Sequence, residues 1–130
     1  MLADVPLFAG LSKRHLKKVA ELGKLRRFHD GMPVVRRGEP GDTLYVVLDG
    51  TAIVHRPGLS GLPLGIGSFF GEIALLDGGA RTATVTARGP VVCLAIPQSR
   101  FLKLLNNEPA IAVTLLRELA DRLRVAQAMS

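Results

Sequence analysis

PVVRRGEPGDTLYVVLDGTAIVHR, residues 33–56, contains three β-rich runs, PVVRR, LYVVL and TAIVHR, separated by GEPGD and DG. Valine, isoleucine, threonine and tyrosine suit a pleated, half-buried backbone, whereas clustered glycine, proline and aspartate interrupt it. The Asp49-Gly50 pair between two such runs predicts a two-residue hairpin turn. The same grammar extends outward in both directions. RRFH precedes the stretch, TATVTA and VVCLAI follow it, and DG, PGLSGLP, GG and GP divide them. Short strands at close, regular spacing predict a sandwich or barrel of jelly-roll type.

Helical patterns flank the β region. Ser12 is placed to cap a helix ending near Gly23, in which Leu16, Val19 and Ala20 recur at helical spacing while the lysines point away. After the last strand, Ser99 is placed to cap RFLKLL, and Asn106-Asn107 to end it. Pro109 then falls where a first helical turn tolerates proline. Ile111, Leu115, Leu119 and Leu123 line one face of a final helix about 30 Å long. The expected order is helix, small β barrel, helix, longer helix.

A chain of 130 residues, 48% hydrophobic, can bury one core and is not of disordered composition. No apolar run approaches the roughly 18 residues of a membrane span, and MLADVPLFAG has no basic region of the signal-peptide kind. The single cysteine, Cys93, sits inside VVCLAI, where a buried, inert thiol is expected. It offers no disulfide framework, which suits a cytoplasmic protein. The net charge of +6 has its densest source in SKRHLKKVAELGKLRR, residues 12–27. A basic patch can meet nucleic acid or an anionic membrane. The segment reads instead as a solvated helix face, without stacking aromatics or a helix-turn-helix pattern, so direct nucleic-acid binding is not expected of it.

Residues 70–85, FGEIALLDGGARTATV, bring together a glutamate, an arginine and a glycine pair. Gly71 frees the backbone to turn, and GEIALL fits a single helical turn whose first amides have no internal partners, a natural anion site. Arg81 can reach the same anion through a bidentate fork, and Thr82 adds a hydroxyl donor. Ionised Glu72 only accepts hydrogen bonds, so it needs a neutral donor such as a sugar hydroxyl. A phosphate beside a ribose satisfies both. A surface salt bridge between Glu72 and Arg81 beside a glycine turn accounts for the same residues.

FGEIALLDGGARTATV closely resembles the phosphate-binding cassette of cyclic-nucleotide-binding domains of the catabolite activator type. That cassette has an apolar residue, Gly-Glu, an apolar and a small residue, a spacer, then Arg, a small polar residue and Ala. VVRRGEPGDTLYVVLDG, residues 34–50, resembles a second signature of the family, with Gly38, Gly41 and a strand closed by Gly50. PLFAGLS resembles its N-terminal helical segment. The likeness covers essentially the whole chain. One departure is Ala80, where many members place proline or valine.

The resemblance implies a mainly β fold with flanking helices: a β-roll or jelly-roll barrel with an N-terminal helix and two C-terminal helices. A single domain over 1–130 would comprise a helical segment 1–23, a β-roll 24–97 with its cassette at 70–83, and hinge and lid helices at 99–128. It further implies that Arg81 pairs with the cyclic phosphate of cyclic AMP or cyclic GMP and that Glu72 accepts from the ribose 2′-hydroxyl. The amides around Gly71, Glu72, Ile73 and Ala74 would cradle phosphate and sugar, with Phe70 and Ala83 bounding the cassette. Thr82 stands near the phosphate and is compatible with either base. By the same likeness the base lid comes from the last helix, with Leu123 and Arg124 as candidates.

The remaining polar residues have structural readings. Gly38 and Gly41 are turn glycines, Asp42 braces its own turn, and Tyr45 is half-buried on a strand. His15, His29 and His55 are dispersed without metal-ligand spacing, which disfavours a metal-dependent jelly-roll enzyme. No nucleophile, base and orienting residue can be assembled, so no catalytic residue, metal or cofactor is expected. The expected function is a regulatory receptor that signals through its C-terminal helices as part of a larger protein. A copy released from nucleotide binding and kept for protein interaction is the alternative, against which intact Glu72 and Arg81 stand. The leucine face of the last helix could pack on its own barrel or form a homodimer seam.

Overall fold

The computed structural model describes residues 8–39, 41–71 and 83–128. In chain order the elements are α1 (Lys13–Leu22), β1 (Lys24–Phe28), β2 (Pro33–Val35), β3 (Thr43–Arg56), β4 (Leu59–Leu64), β5 (Phe69–Phe70), β6 (Thr84–Pro97), α2 (Gln98–Asn107) and α3 (Pro109–Ala128). The strands form one antiparallel sheet in the order β1-β6-β3-β4, with β2 on β6 and β5 on β3. The mainly β roll with flanking helices is therefore observed.

Asp49-Gly50 is not a hairpin turn. β3 runs through it, and β6 likewise runs through Gly89-Pro90, so each element joins two of the expected strands. The two interruptions face each other. Asp49 is level with Val92 and Thr51 with Arg88, and the register shifts on both sides of Asp49. Gly50 at φ +86° and Gly89 at +72° take up the irregularity. Such bulges bend a strand without ending it. Asp49 Oδ1 accepts from the Gly50 amide at 3.0 Å, and Asp30 Oδ1 accepts from that of Gly89 at 2.7 Å. Two facing bends let one long ribbon turn a corner together.

The true hairpin comes one run later. Arg56 is level with Leu59, so Pro57-Gly58 forms the two-residue loop, with Gly58 at φ +76°. Most of PGLSGLP, expected as a separator, is thus strand β4. β2 ends at Val35, leaving Arg36 and Arg37 in a turn where Gly38 adopts φ +86°.

Side chains alternate across the long strands and fill two cores. Leu44, Val46, Leu94 and Ile96 meet the helices, together with Val19, Phe101 and Ile111. Tyr45, Val47, Cys93 and Ala95 face the other way, into the roll, with Phe28 and Phe70. Both faces of VVCLAI are buried, which is why it reads as a continuous apolar run. Cys93 is wholly buried, and desolvation pushes its thiol up from 9.0 to about 11, the inert state expected of it.

α1 begins as the sequence predicts: Ser12 Oγ accepts from the His15 amide at 3.2 Å. Val19 is buried and Leu16 packs on the helical core, but Ala20 is exposed. α2 starts one residue ahead of Ser99, with Pro97 in the cap position and, among the described residues, no side-chain cap. Its first amide, from Gln98, instead donates to the Asp42 carbonyl at 2.6 Å. Because the helix already begins at Gln98, Ser99 lies inside its first turn and not at the cap, and the Gln98 bond ties the start of the C-terminal helices to the β2–β3 loop. α2 ends at Asn107, and α3 opens on Pro109, whose missing N–H costs nothing in a first turn. Ile111 and Leu115 are buried and Leu119 is partly so, whereas Leu116 is 65% exposed. Among the described residues, no helix is long and apolar enough to cross a membrane.

Candidate functional site: the 70–83 segment and its supports

Phe70 and Gly71 at one end and Ala83 at the other are described; Glu72, Ile73, Ala74, Arg81 and Thr82, and the helical turn expected of GEIALL, lie outside the described residues. The structure shows how the segment is held at its two ends. Phe70 closes β5 and is level with Tyr45 of β3. Their rings stack with centroids 5.3 Å apart and planes 13° from parallel, and Phe28 meets Tyr45 edge-on at 6.4 Å. Tyr45 is only 9% exposed, more buried than the half-buried strand position expected. It had to be, because an aromatic pair gains most when both faces leave water. Directly after this stack, Gly71 turns the chain at φ +89°, a left-handed geometry that disfavours residues with a Cβ.

At the far end, Ala83 packs with Val34 and Val35 against the core of the roll. Thr84 then starts β6, and its Oγ1 accepts from the Arg37 amide at 2.9 Å. The β2–β3 loop is thereby fastened beside the exit of the segment. A cavity of about 220 Å³ opens here, lined by β2 and β2–β3 loop residues including Arg36, Glu39 and Asp42, with Tyr45 at its wall. Arg36 and Glu39 pair loosely at 3.8 Å. Asp42 braces its own turn, as expected, by accepting from the Thr43 hydroxyl at 3.2 Å.

The helical side of the domain carries a feature that residue types alone did not reveal. Arg14, His15 and Lys18 of α1 do not all point into water; their side chains converge on Glu108, the residue between α2 and α3. Arg14 Nη2 and Lys18 Nζ reach Oε1 at 3.1 and 2.5 Å, and His15 Nε2 lies 3.5 Å from Oε2. The Lys18 hydrogen bond, helped by the charges of Arg14, Lys18 and His15 and opposed by desolvation, holds the Glu108 carboxyl below the ordinary carboxylate range. The signal was present as i, i+1, i+4 spacing on α1, but its acid lies about 90 residues downstream. Of the proposed lid residues, Arg124 is exposed, and the Leu123 side chain lies outside the described residues. Among the described residues, no three His, Cys, Asp or Glu side chains cluster as a metal site would require.

The sequence model of the family described as "Cyclic nucleotide-binding domain" matches residues 25–108, from β1 to the end of α2. This chain belongs to that family. The domain is 37% identical over 112 residues to a cyclic nucleotide-gated potassium channel of Mesorhizobium japonicum, a match covering 86% of this chain and 31% of the channel. Among solved structures it resembles the catabolite activator protein of Thermus thermophilus, with TM-score 0.81, 33% identity and coverage of 95% of this chain and 61% of that one. It also resembles the N-terminal domain of a transcriptional regulator from Streptomyces coelicolor, with TM-score 0.83, 34% identity and coverage of 96% and 90%. The domain thus spans less than a third of the channel's length and has the β-roll architecture of the regulators. The family match and these relatives support a regulatory domain of the cyclic-nucleotide-binding type.

Proposed function

We propose that this domain is the receptor module of a larger cytoplasmic protein, that it binds a cyclic nucleotide without catalysing a reaction, and that it signals by repositioning its C-terminal helices. One observation carries this reading: a segment containing both Glu72 and Arg81 follows the Tyr45–Phe70 stack and the Gly71 turn in a chain of this family. Arg81 supplies a planar, permanently charged fork to the cyclic phosphate. Glu72 accepts from the ribose 2′-hydroxyl. The amides of Gly71, Glu72, Ile73 and Ala74 complete the cradle, and Thr82 donates from beside Arg81. Cyclic AMP is the first ligand to test and cyclic GMP the second.

The output follows from linkage. A nucleotide shifts the position of α3 only by binding one arrangement more tightly than another. A purine held by phosphate and sugar alone leaves a face in water, and α3, with Leu123 and Arg124, is the element available to cover it. A homodimer through α3 is compatible with this movement, since Leu116 is exposed on that helix. Calorimetric titration with cyclic AMP, cyclic GMP and the corresponding 5′-monophosphates tests the reading. Saturable binding of a cyclic nucleotide, with the open monophosphates much weaker, is expected. Absence of binding by both cyclic forms would leave the domain a non-binding interaction unit.

A further inference from the structure

The geometry points to Glu108 as a positioning residue that latches the α2–α3 elbow to α1 and thereby sets the domain's affinity for its ligand, an inference that rests on the receptor reading above. Glu108 is the one residue between the two C-terminal helices, with non-helical φ −133° and ψ 74°. Any swing of α3 relative to α2 must turn about its backbone. Its carboxylate is only 18% exposed and receives Arg14, Lys18 and His15, all from α1. α1 is itself fixed, because Val19 is fully buried in the core shared with Phe101 and Ile111. A second contact ties the same joint down: a Cβ on Gly10 would come within 2.8 Å of Thr114 Cγ2, so the chain ahead of α1 lies against the second turn of α3.

In this arrangement α3 packs mainly on α2 and the N-terminal segment through Ile111 and Leu115, while Leu116, Arg124 and Val125 are exposed. The latch stabilises the elbow as seen here. Closing α3 over a ligand turns the elbow and draws the Glu108 carboxylate away from its three partners. The latch therefore opposes closure, and apparent affinity is reduced by the fraction of molecules able to close. Burial alone would not require Arg14, Lys18 and His15 together on one carboxylate, since a single cation neutralises it; their convergence concentrates the restraint on the joint.

The test substitutes Glu108→Gln in the full chain and reads cyclic AMP affinity by calorimetry and amide hydrogen exchange of residues 109–128 without ligand. Partly exposed ion pairs are individually weak, so affinity should tighten about two- to tenfold. Exchange across α3 should accelerate while β3 and β6 keep their protection. Lys18→Gln should do the same to a smaller extent and serves if Glu108→Gln does not fold. Exchanging the charges, Lys18→Glu with Glu108→Lys, should bring affinity only part of the way back to the parental value, because Arg14 would then face a like charge. Unchanged or weakened affinity, or unchanged exchange of α3, overturns the latch. If the parent binds no cyclic nucleotide, the receptor reading fails separately, and the exchange comparison still decides whether Glu108 restrains the elbow.

Discussion

Replacing Gly50 with alanine should destabilise the domain far more than the same change at Gly58, although both glycines have positive φ. At Gly50, φ is +86° and a Cβ would sit 2.3 Å from the Pro90 carbonyl oxygen and 3.1 Å from Val91 Cα, both backbone atoms. At Gly58, φ is +76° with nothing among the described residues within 4 Å. The conformational cost is shared and amounts to about 1–2 kcal/mol for a residue with a Cβ. The collision is peculiar to Gly50. Relieving it means separating β3 from β6 at the corner where both bend, an overpacking cost of about 1–3 kcal/mol. Gly50→Ala should therefore lose about 2–5 kcal/mol, and Gly58→Ala about 1–2 kcal/mol. For a domain of this size the former corresponds to a fall in melting temperature of roughly 10–20 °C. Urea unfolding followed by circular dichroism, with thermal melts alongside, measures both variants. If they lie within about 0.5 kcal/mol of each other, the close approach at the corner does not exist, and the account of how the roll bends is wrong.

Three further outcomes follow from the same residues. If Glu72 holds the ribose, 2′-deoxy cyclic AMP should bind about 10- to 150-fold more weakly than cyclic AMP, and Glu72→Ala should erase that difference; a preference that survives the mutation assigns the sugar to another residue. A chain ended after Leu116 keeps Ile111 and Leu115 in the core, so it should fold, yet bind about 10- to 150-fold more weakly and distinguish adenine from guanine poorly; full affinity in the folded truncation would show that the roll alone reads the base. Cys93, with its thiol pushed from 9.0 to about 11, keeps its proton in the native state at pH values where the unfolded chain has lost it. Its contribution to stability is therefore constant below about pH 9 and falls between about pH 9 and 11. Native protein should resist iodoacetamide at pH 9.5 while urea-unfolded protein reacts, and equal labelling rates would contradict its burial.

Much of this architecture was legible in local patterns. The β-rich runs LYVVL and VVCLAI and the helical spacing of Ile111 and Leu115 each report a segment that must be buried. Ser12 and Pro109 mark helix starts because their chemistry suits an unsatisfied first turn. Reading failed where a glycine had two uses. Asp49-Gly50 and Gly89-Pro90 have the composition of turns, but whether a chain reverses or merely bends depends on the strand opposite, 37–43 residues away along the ladder. Ser99 is not a cap because the helix begins one residue earlier, where the Gln98 amide finds the Asp42 carbonyl of the β2–β3 loop. The Glu108 cluster was invisible for the same reason: its basic residues look solvated until the fold brings a distant carboxylate to them. The cassette was the reverse case. Its residue types and spacing were explicit in the sequence, whereas the aromatic stack that supports its start required the pairing of β3 with β5.

The central claim is that Arg81 holds the phosphate of a cyclic nucleotide, and titration of the parent and Arg81→Ala with cyclic AMP tests it most directly. Removing one partner of a desolvated charge pair typically costs about 2–5 kcal/mol, so the variant should bind roughly 30- to several-thousand-fold more weakly. Its circular dichroism and melting temperature should stay close to the parental values, because both described cores are complete without it. A folded Arg81→Ala domain that binds cyclic AMP within threefold of the parent would contradict the claim.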